Sequence, residues 1–476
     1  MAIATQHTRW CLRRAAPTGC AARLPELACG SDARRADSVL AMHAADLRSS
    51  SRTALAVLTG INLLNYLDRY IVAGMVGPLK REFDASDTEV GLLMSIFLVS
   101  YMVVSPVVGW VARTRSRTGL LALGVALWSA ATAGGAMARS MWHLLIMRAA
   151  TGVGEAAYAT VGPALLADHY PPHRRSSALS IFYSAIPVGT ACGYMLAGYI
   201  SSRWGWREAF LVAGLPGLAI ALLCLWLRDP PRGRHDGAQD TRDGAVRLGP
   251  AAAALARNRR FVQTTLGYAA FTFAFGALAT WMPYYMEQVR GWSAETAAVA
   301  FGGIIVATGF AGTLLGGWAA SRLGGGRDES ALRIAGWCMI GAAPLSIAAL
   351  AAPQPWVLVP ALVLAATLSF ATQGPINAVT LNSVGPAMRA AAVGVSVLCI
   401  HLFGDVPSPA LAGWISDRAP PEWRAAVLRA IGSDADSGLP LGLAMIPVAM
   451  AIAGAIWLRE ANQATPTIGT LSKPAR

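Results

Sequence analysis

The sequence predicts an all-α integral membrane protein with twelve transmembrane helices in two six-helix halves, and three observations support this. Hydrophobic residues make up 55% of the 476 residues and charged residues only 14%, whereas about 25% are charged in a soluble domain. Apolar stretches of about 20 residues, long enough to cross the hydrocarbon of a bilayer, recur between residues 54 and 458. A polar stretch at 228–260 separates six of these stretches from the other six.

The apolar stretches locate the individual helices. Gly and Pro are frequent in them, as in other membrane helices. Small residues, namely Gly152, Gly154, Gly189, Gly193 and Gly198, allow helices to approach closely. The predicted spans are 54–79, 90–112, 118–138, 141–166, 176–200, 207–227, 262–287, 296–320, 332–351, 356–384, 390–416 and 438–458.

The polar segments complete the predicted domain organisation. Residues 1–50 are rich in Arg and lack the apolar core of a signal peptide. We therefore expect a disordered basic tail, and Met42 offers a second possible start before the first helix. The remaining segments are an N-terminal half, a cytoplasmic linker, a C-terminal half and a cytoplasmic C-terminal tail, expected at 51–227, 228–260, 261–458 and 459–476.

Basic residues are concentrated in alternate loops and predict the orientation of the chain. The net charge is +13. The loops after the second, fourth, sixth, eighth and tenth spans contain Arg113, Arg115, Arg117, Arg174, Arg175, Arg228, Arg232, Arg234, Arg242, Arg247, Arg257, Arg259, Arg260, Arg322, Arg327, Arg333 and Arg389. Because basic loops stay in the cytoplasm, we expect a multi-pass protein of a bacterial inner membrane with both termini cytoplasmic. The same distribution argues against a nucleic-acid partner.

Four charged residues lie inside two predicted spans, where each costs roughly 2.5–3.5 kcal/mol. Asp68 and Arg69 are adjacent in NYLDRY, so they point about 100° apart and pair poorly with each other. Arg148 and Glu155 are two turns apart in RAATGVGEA and share a helix face. Apolar surroundings favour the protonated form of a carboxyl group, so we expect Asp68 and Glu155 to carry protons. The alternative is a set of buried ion pairs that only stabilises helix packing.

His401 and Asp405 form a second polar pair, in HLFGDVPSP of the eleventh span. Their spacing of four residues places them on one helix face. Gly404, Pro407 and Pro409 interrupt the helix and free backbone groups that need other partners. A packing role and a binding role remain equally open for this pair. We expect substrate-binding groups at Arg69, Arg148, His401 and Asp405.

Other patterns are less informative. Trp281, Tyr284 and Tyr285 are expected to form an interfacial aromatic belt or, less favoured, part of a binding surface. The seven Cys residues contain no CxxC pair, so no metal site is expected. No phosphate-binding Walker loop is present, and we expect no cofactor.

With these motifs identified, the chain resembles the Major Facilitator Superfamily and, within it, the spinster branch, over about residues 52–458. The motifs that match are NYLDRY at 65–70, RAATGVGEA at 148–156, GWREAF at 205–210 and HLFGDVPSP at 401–409. The resemblance implies alternating access, a cavity between the halves and, as in animal members, proton-linked transport of amphipathic lipids such as lysophospholipids or sphingosine phosphate. The motif residues at matching positions are Asp68, Arg69, Arg148, Glu155, His401 and Asp405.

Two loops depart from the superfamily pattern. The loop after the second span usually reads G-x-x-x-D-R-x-G-R, but here Arg113 occupies the position of the Asp. In the matching loop after the eighth span, Ser321 precedes Arg322. The missing acid normally helps to hold one gating state, so the resemblance implies an altered conformational balance.

The expected function is secondary active transport, coupled to protons, of an amphipathic anion similar to a lysophospholipid or a sphingoid phosphate. The expected partners are this small-molecule or lipid substrate, protons and the lipid bilayer. A small organic anion, such as an aromatic or sugar acid, is the alternative substrate. A polytopic membrane enzyme and a channel are remote alternatives, because the sequence shows neither a catalytic constellation nor a continuous polar stripe.

Overall fold

A computed structural model describes residues 51–232, 248–325, 327–385 and 388–463. The predicted tail at 1–50, the middle of the predicted linker and the end of the C-terminal tail lie outside these residues. All secondary structure in the described ranges is helical.

The N-terminal part of the described chain contains seven helices. They are α1 at 51–71, α2 at Val76–Phe83, α3 at Asp87–Val111, α4 at Arg117–Gly135, α5 at Met141–His169, α6 at Pro172–Arg203 and α7 at Trp206–Trp226.

The C-terminal part is more often interrupted. Helix α8 at Leu248–Arg257 lies within the predicted linker. It is followed by α9 at Arg259–Gln288, α10 at Ala294–Arg322, α11 at Asp328–Ala351, α12 at Pro355–Ala371, α13 at Gln373–Asn382 and α14 at Arg389–Ile400. A π-helical turn at His401–Asp405 leads to α15 at Pro407–Arg418, α16 at Pro421–Ala430, α17 at Leu439–Leu443 and α18 at Met445–Gln463.

Ten described helical segments are long and apolar enough to cross a membrane. The two remaining predicted spans are α1 and α5, which are less apolar because they carry Asp68, Arg69, Arg148 and Glu155. With these two helices the described chain accounts for the twelve predicted spans, and the predicted fold class is confirmed. Exposed Trp side chains lie near helix ends, as expected at membrane interfaces; examples are Trp110, Trp226, Trp142 and Trp356.

Three predicted spans are broken where a single helix was expected, and one of them is the twelfth, 438–458, which is divided between α17 and α18 at Ala444. The first span, 54–79, is divided between α1 and α2 by a turn around Gly74. Gly74 packs against the Tyr194 backbone and the Ala197 side chain of α6. The helix is interrupted at this close contact. Asp68 and Arg69 therefore lie in the last turn of α1 and not in the middle of a helix. The tenth span is divided between α12 and α13 at Thr372, just before Gly374 and Pro375.

Close helix contacts occur at all five glycines that the sequence analysis singled out. A methyl group on Gly152 would overlap the Phe97 carbonyl oxygen of α3, and one on Gly154 would lie 2.6 Å from the Gly124 carbonyl oxygen of α4. Gly189 and Gly193 lie against α1, and Gly198 lies against α10. The two glycines of RAATGVGEA therefore let α5 pack directly against both α3 and α4.

The two halves contact each other at the end of the bundle where α1 finishes and α3 begins, which we call the distal end. Asp417 of α15 accepts hydrogen bonds from the backbone N–H groups of Asp87 and Thr88 at the start of α3, at 3.0 and 2.8 Å. The Ser416 hydroxyl donates to the Asp87 carboxylate at 2.5 Å. We call Asp87, Thr88, Ser416 and Asp417 the distal latch. Two further ion pairs join the halves at this end, Arg81–Glu287 and Arg203–Glu295.

The opposite, proximal end is splayed. Among the described residues, the hydrogen bonds and ion pairs that join the halves lie at the distal end or in the middle of the bundle. In the middle, the Ser95 hydroxyl donates to the Val406 carbonyl oxygen at 2.6 Å. Further toward the proximal end, Val107 of α3 and Val393 of α14 are exposed. The fold is therefore closed at the distal end and open at the proximal end.

Candidate functional site

A cavity of about 50 Å³ lies between the two halves, near the middle of the bundle. Arg69, Phe97 and other residues of α1 and α3 form one wall. Phe275, Asp405 and other residues of α9, the π-helical turn and α15 form the other. Of the six predicted site residues, Arg69 and Asp405 line this cavity, and they belong to opposite halves.

A cluster of four charged side chains extends from Arg69 at the cavity wall into the N-terminal half, where the other three are buried. The Arg69 guanidinium donates from Nη2 to Glu155 Oε2 at 3.1 Å. Asp68 instead accepts a hydrogen bond from the Thr132 hydroxyl of α4 at 2.7 Å, so the adjacent residues have different partners, as the sequence analysis predicted. Arg148 lies close to the carbonyl oxygen of Arg69, with Nη2 3.4 Å away. Asp68, Arg148 and Glu155 are at most 2% exposed.

Three aromatic rings lie around the Arg69 guanidinium. Its guanidinium carbon lies 4.9 Å from the centre of the Tyr66 ring, 5.0 Å from Phe97 and 5.7 Å from Tyr101. The electron-rich face of an aromatic ring attracts a cation. These rings therefore hold Arg69 at the cavity wall without neutralising it.

The hydrogen bonding of the cluster is incomplete among the residues that the structure describes. Asp68 Oδ1 and Glu155 Oε1 have no protein partner, and neither do Nε of Arg69 or Nε and Nη1 of Arg148. A buried charged group without full pairing is costly. Such groups are common where a site changes its protonation or its contacts during function.

The second polar pair lies in the π-helical turn of the C-terminal half. His401 Nδ1 is 2.9 Å from Asp405 Oδ1, so the two side chains lie on one helix face, as their spacing predicted. The His401 ring also makes an edge contact with Tyr101 of α3, with ring centres 6.4 Å apart. π-helical turns occur frequently at functional sites, and this one places Asp405 in the cavity wall.

The structure thus brings Asp68, Arg69, Arg148 and Glu155 into one cluster, with His401 and Asp405 across the cavity. Sequence reasoning missed Phe97, Tyr101 and Thr132, because their side chains do not stand out from an apolar helix. The expected aromatic belt at Trp281, Tyr284 and Tyr285 is wrong, since all three are buried. Trp281 donates to the Pro409 carbonyl oxygen at 2.9 Å and packs α9 against α15.

The divergent loop after α3 retains an ionic cluster at the proximal end. Arg117 is buried and binds Asp229 through its Nε at 2.7 Å, and it also pairs with Asp168 at the end of α5. Arg113, which replaces the usual acid, is exposed. The acids paired with Arg117 are thus supplied from outside this loop.

Comparison with known sequences identifies similar proteins over most of the chain. The family model of the Major Facilitator Superfamily matches residues 58–406. Protein spinster homolog 1 of Homo sapiens is 35% identical over 400 residues, which cover 79% of this chain and 75% of that protein. Protein spinster of Drosophila melanogaster is 32% identical over 375 residues, which cover 76% of this chain and 61% of that protein.

Solved structures show the same fold. A bacterial homologue of the human lysosomal transporter spinster, in an inward-facing and unoccupied conformation, has a TM-score of 0.75 at 23% identity. The match covers 87% of this chain and 97% of that one. A D-xylose–proton symporter has a TM-score of 0.65 at 16% identity, covering 87% and 96% of the two chains.

Proposed function

Because the chain belongs to the spinster family of the Major Facilitator Superfamily, we propose that it couples proton movement to the transport of an amphipathic anion. Its family members are transmembrane transporters and not enzymes. The observation that carries the proposal is the incompletely paired cluster of two acids and two arginines, of which Arg69 also lines the cavity between the halves.

The charge of the cluster links the proton to the anion. With both carboxyls ionised, Asp68 and Glu155 balance Arg69 and Arg148, and the net charge is zero. One bound proton leaves a net charge of one positive unit beside the cavity, which favours an anion there. Protonation of Glu155 also removes the charge partner of Arg69, so the guanidinium becomes available to the substrate. Proton uptake and anion binding therefore favour each other.

The substrate class follows from the wall of the cavity. An Arg guanidinium remains charged when buried and pairs well with phosphate or carboxylate. Leu98 and Phe275 supply apolar surface nearby, and such a surface stabilises a hydrocarbon chain by about 0.8 kcal/mol per methylene. We propose a lysophospholipid or sphingoid-phosphate-like substrate, with its head group at Arg69 and its tail toward the open proximal cleft. His401 and Asp405 contribute polar contacts from the other half, and Arg148 acts from behind the wall.

A small organic anion, such as an aromatic or sugar acid, is the second candidate substrate. The observation in its favour is the cavity volume of about 50 Å³, which leaves no room for a long tail within the cavity itself. The two candidates differ in whether affinity depends on the length of a tail.

Uptake into proteoliposomes tests the transport proposal. We expect accumulation of a labelled lysophospholipid when a proton gradient is imposed, and loss of accumulation when an ionophore collapses the gradient. Accumulation that ignores the gradient would contradict proton coupling. Movement of many small ions down their own gradients would indicate a channel instead.

The two halves, 51–227 and 261–458, are proposed to rock about the central cavity, joined by the linker 228–260. In this view the proximal end faces the cytoplasm, together with both termini. Reporter fusions after residue 240 and after residue 430 should then report opposite sides of a bacterial inner membrane. A fusion at 240 should be cytoplasmic, so a fluorescent-protein reporter there should fluoresce and an alkaline-phosphatase reporter should be inactive. A fusion at 430 should give the opposite pair of results. The same side at both positions would contradict the twelve-span topology.

The distal latch should set the balance between the two conformations. In Asp417→Ala, α3 loses the carboxylate that accepts its two terminal N–H groups. Hydrogen bonds to a charged group contribute about 1.5–3 kcal/mol each, so the loss of even one of them should raise the population with an open distal end by at least about tenfold.

Spin labels at Val107→Cys and Val393→Cys, in a background without other Cys residues, measure this change. The distance between the labels should become shorter in Asp417→Ala, because the proximal end closes when the distal end opens. Glu422→Ala is the matched control, since Glu422 is an exposed acid just beyond the latch. An unchanged distance distribution in Asp417→Ala would contradict the assignment of a latch.

A further inference from the structure

Phe97 of α3 contacts both arginines of the charge cluster. The guanidinium carbon of Arg69 lies 5.0 Å from the centre of the Phe97 ring, and that of Arg148 lies 4.8 Å from it. The side chain is buried, and it forms part of the cavity wall. One ring therefore attracts two like charges without adding an acid to the cluster.

The four charged side chains around the Phe97 ring do not all pair with one another. Among the described residues, Arg69–Glu155 is the single ion pair that joins its four charged groups. Asp68 and Glu155 each keep an oxygen without a protein partner, while Arg148 keeps two nitrogens without one. Spare acceptors and spare donors thus lie in the same cluster, and the ring is the contact that both guanidiniums share.

The backbone of α3 holds the ring at this height. The Phe97 carbonyl oxygen lies directly against Gly152 of α5, where any side chain larger than hydrogen would overlap it. Gly152 is one turn from Arg148 and less than one turn from Glu155. The position of the ring is therefore tied to the two charges of α5 by a close helix contact.

We propose that Phe97 is a positioning residue that holds Arg69 and Arg148 away from complete pairing with Asp68 and Glu155, and so keeps these carboxyls able to take up a proton. The inference deepens the proposed coupling and rests on it. A fully paired carboxylate is stabilised in its charged form and accepts a proton only at lower pH. Without the ring, the guanidiniums relax toward the spare oxygens and the cluster becomes harder to protonate.

The test is the pH dependence of gradient-driven uptake in Phe97→Leu, which removes the ring but keeps an apolar side chain. The pH of half-maximal uptake should move about one unit lower than in the unmodified protein, equal to a tenfold loss of proton affinity. Phe97→Tyr keeps the ring and should have the same pH of half-maximal uptake as the unmodified protein. Phe275→Leu is the matched control, because Phe275 lines the same cavity but its ring is not among those that make a cation–π contact with Arg69 or Arg148 in the described residues. Its KM can change, but its pH midpoint should stay.

The outcomes separate this inference from the function on which it rests. Uptake without any pH dependence in the unmodified protein would overturn the proposed coupling. A pH-dependent unmodified protein, with an unshifted midpoint in Phe97→Leu, would overturn the role of Phe97 alone. An equal shift in Phe275→Leu would also overturn it, because the loss of any cavity ring would then suffice. If Phe97→Leu does not fold, Phe97→Met must show the same shift to lower pH.

Discussion

Asp68→Asn and Glu155→Gln should each abolish proton-driven accumulation of the substrate, while both variants still bind it. The amides keep the size and polarity of the carboxyls but cannot exchange a proton. The substrate then crosses without a driving ion, so accumulation against its gradient stops. Uptake with an imposed gradient and binding measured by calorimetry on the same preparations test this result.

The pH dependence of binding distinguishes the two acids. In the unmodified protein an anion should bind more tightly as the pH falls, because protonation adds positive charge next to Arg69. Glu155→Gln resembles the protonated state, so it should bind at high pH about as tightly as the unmodified protein does at low pH. Asp68→Asn should show a weaker effect, since Asp68 accepts from Thr132 and not from Arg69.

Glu208→Gln is the matched control for these variants, because Glu208 is an exposed acid at the start of α7, remote from the cluster in sequence. It should transport and bind as the unmodified protein does. Full gradient-driven accumulation in both Asp68→Asn and Glu155→Gln would show that the cluster has only a structural role.

Loss of the Arg69 guanidinium should weaken binding of a lysophospholipid or sphingoid phosphate by at least about 30-fold. Removing one partner of a buried charge pair costs about 2–5 kcal/mol, and about 1.4 kcal/mol is a tenfold change in Kd. Arg69→Ala alone would also leave Glu155 as an unpaired buried charge. The comparison should therefore be made between Arg69→Gln/Glu155→Gln and Glu155→Gln, which differ only in the guanidinium.

Tail length provides the second arm of this experiment. Each methylene removed from the tail should weaken binding by about 0.8 kcal/mol, until the tail no longer reaches apolar surface. Arg148→Gln should change affinity less than the loss of Arg69, because Arg148 is buried behind the cavity wall. Affinity that does not depend on tail length, or tight binding of a short organic acid, would transfer the assignment to the small-anion class.

The order of the helices and the polar residues that form the candidate site could be predicted from the sequence, because the physical reasons act within each segment. A membrane span needs about 20 apolar residues, so composition alone locates it. A charge within such a span is costly enough to stand out, and this is how Asp68, Arg69, Arg148 and Glu155 were recognised. The contact between His401 and Asp405 depends only on their spacing along one helix.

The partners of these residues depend on how the helices pack, and the sequence of a single segment does not determine that packing. Arg69 of α1 pairs with Glu155 of α5, two residues that are far apart in the chain, and Gly152 and Gly154 let α5 pack closely into the same bundle. Thr132 and Phe97 enter the cluster from predicted spans that contain no charged residue. The break after α1 arises where Gly74 packs against α6. Trp281, Tyr284 and Tyr285 are buried because other helices pack against α9.

Composition and spacing thus set the class of fold and the chemistry available to it, since both follow from the cost of polar groups in lipid. Contacts between residues far apart in the chain decide how the two halves face each other and which end of the bundle is closed. They also decide which of the four charges reaches the cavity. Asp417 illustrates this point, because a carboxylate near the end of α15 becomes a cap only when α3 begins beside it.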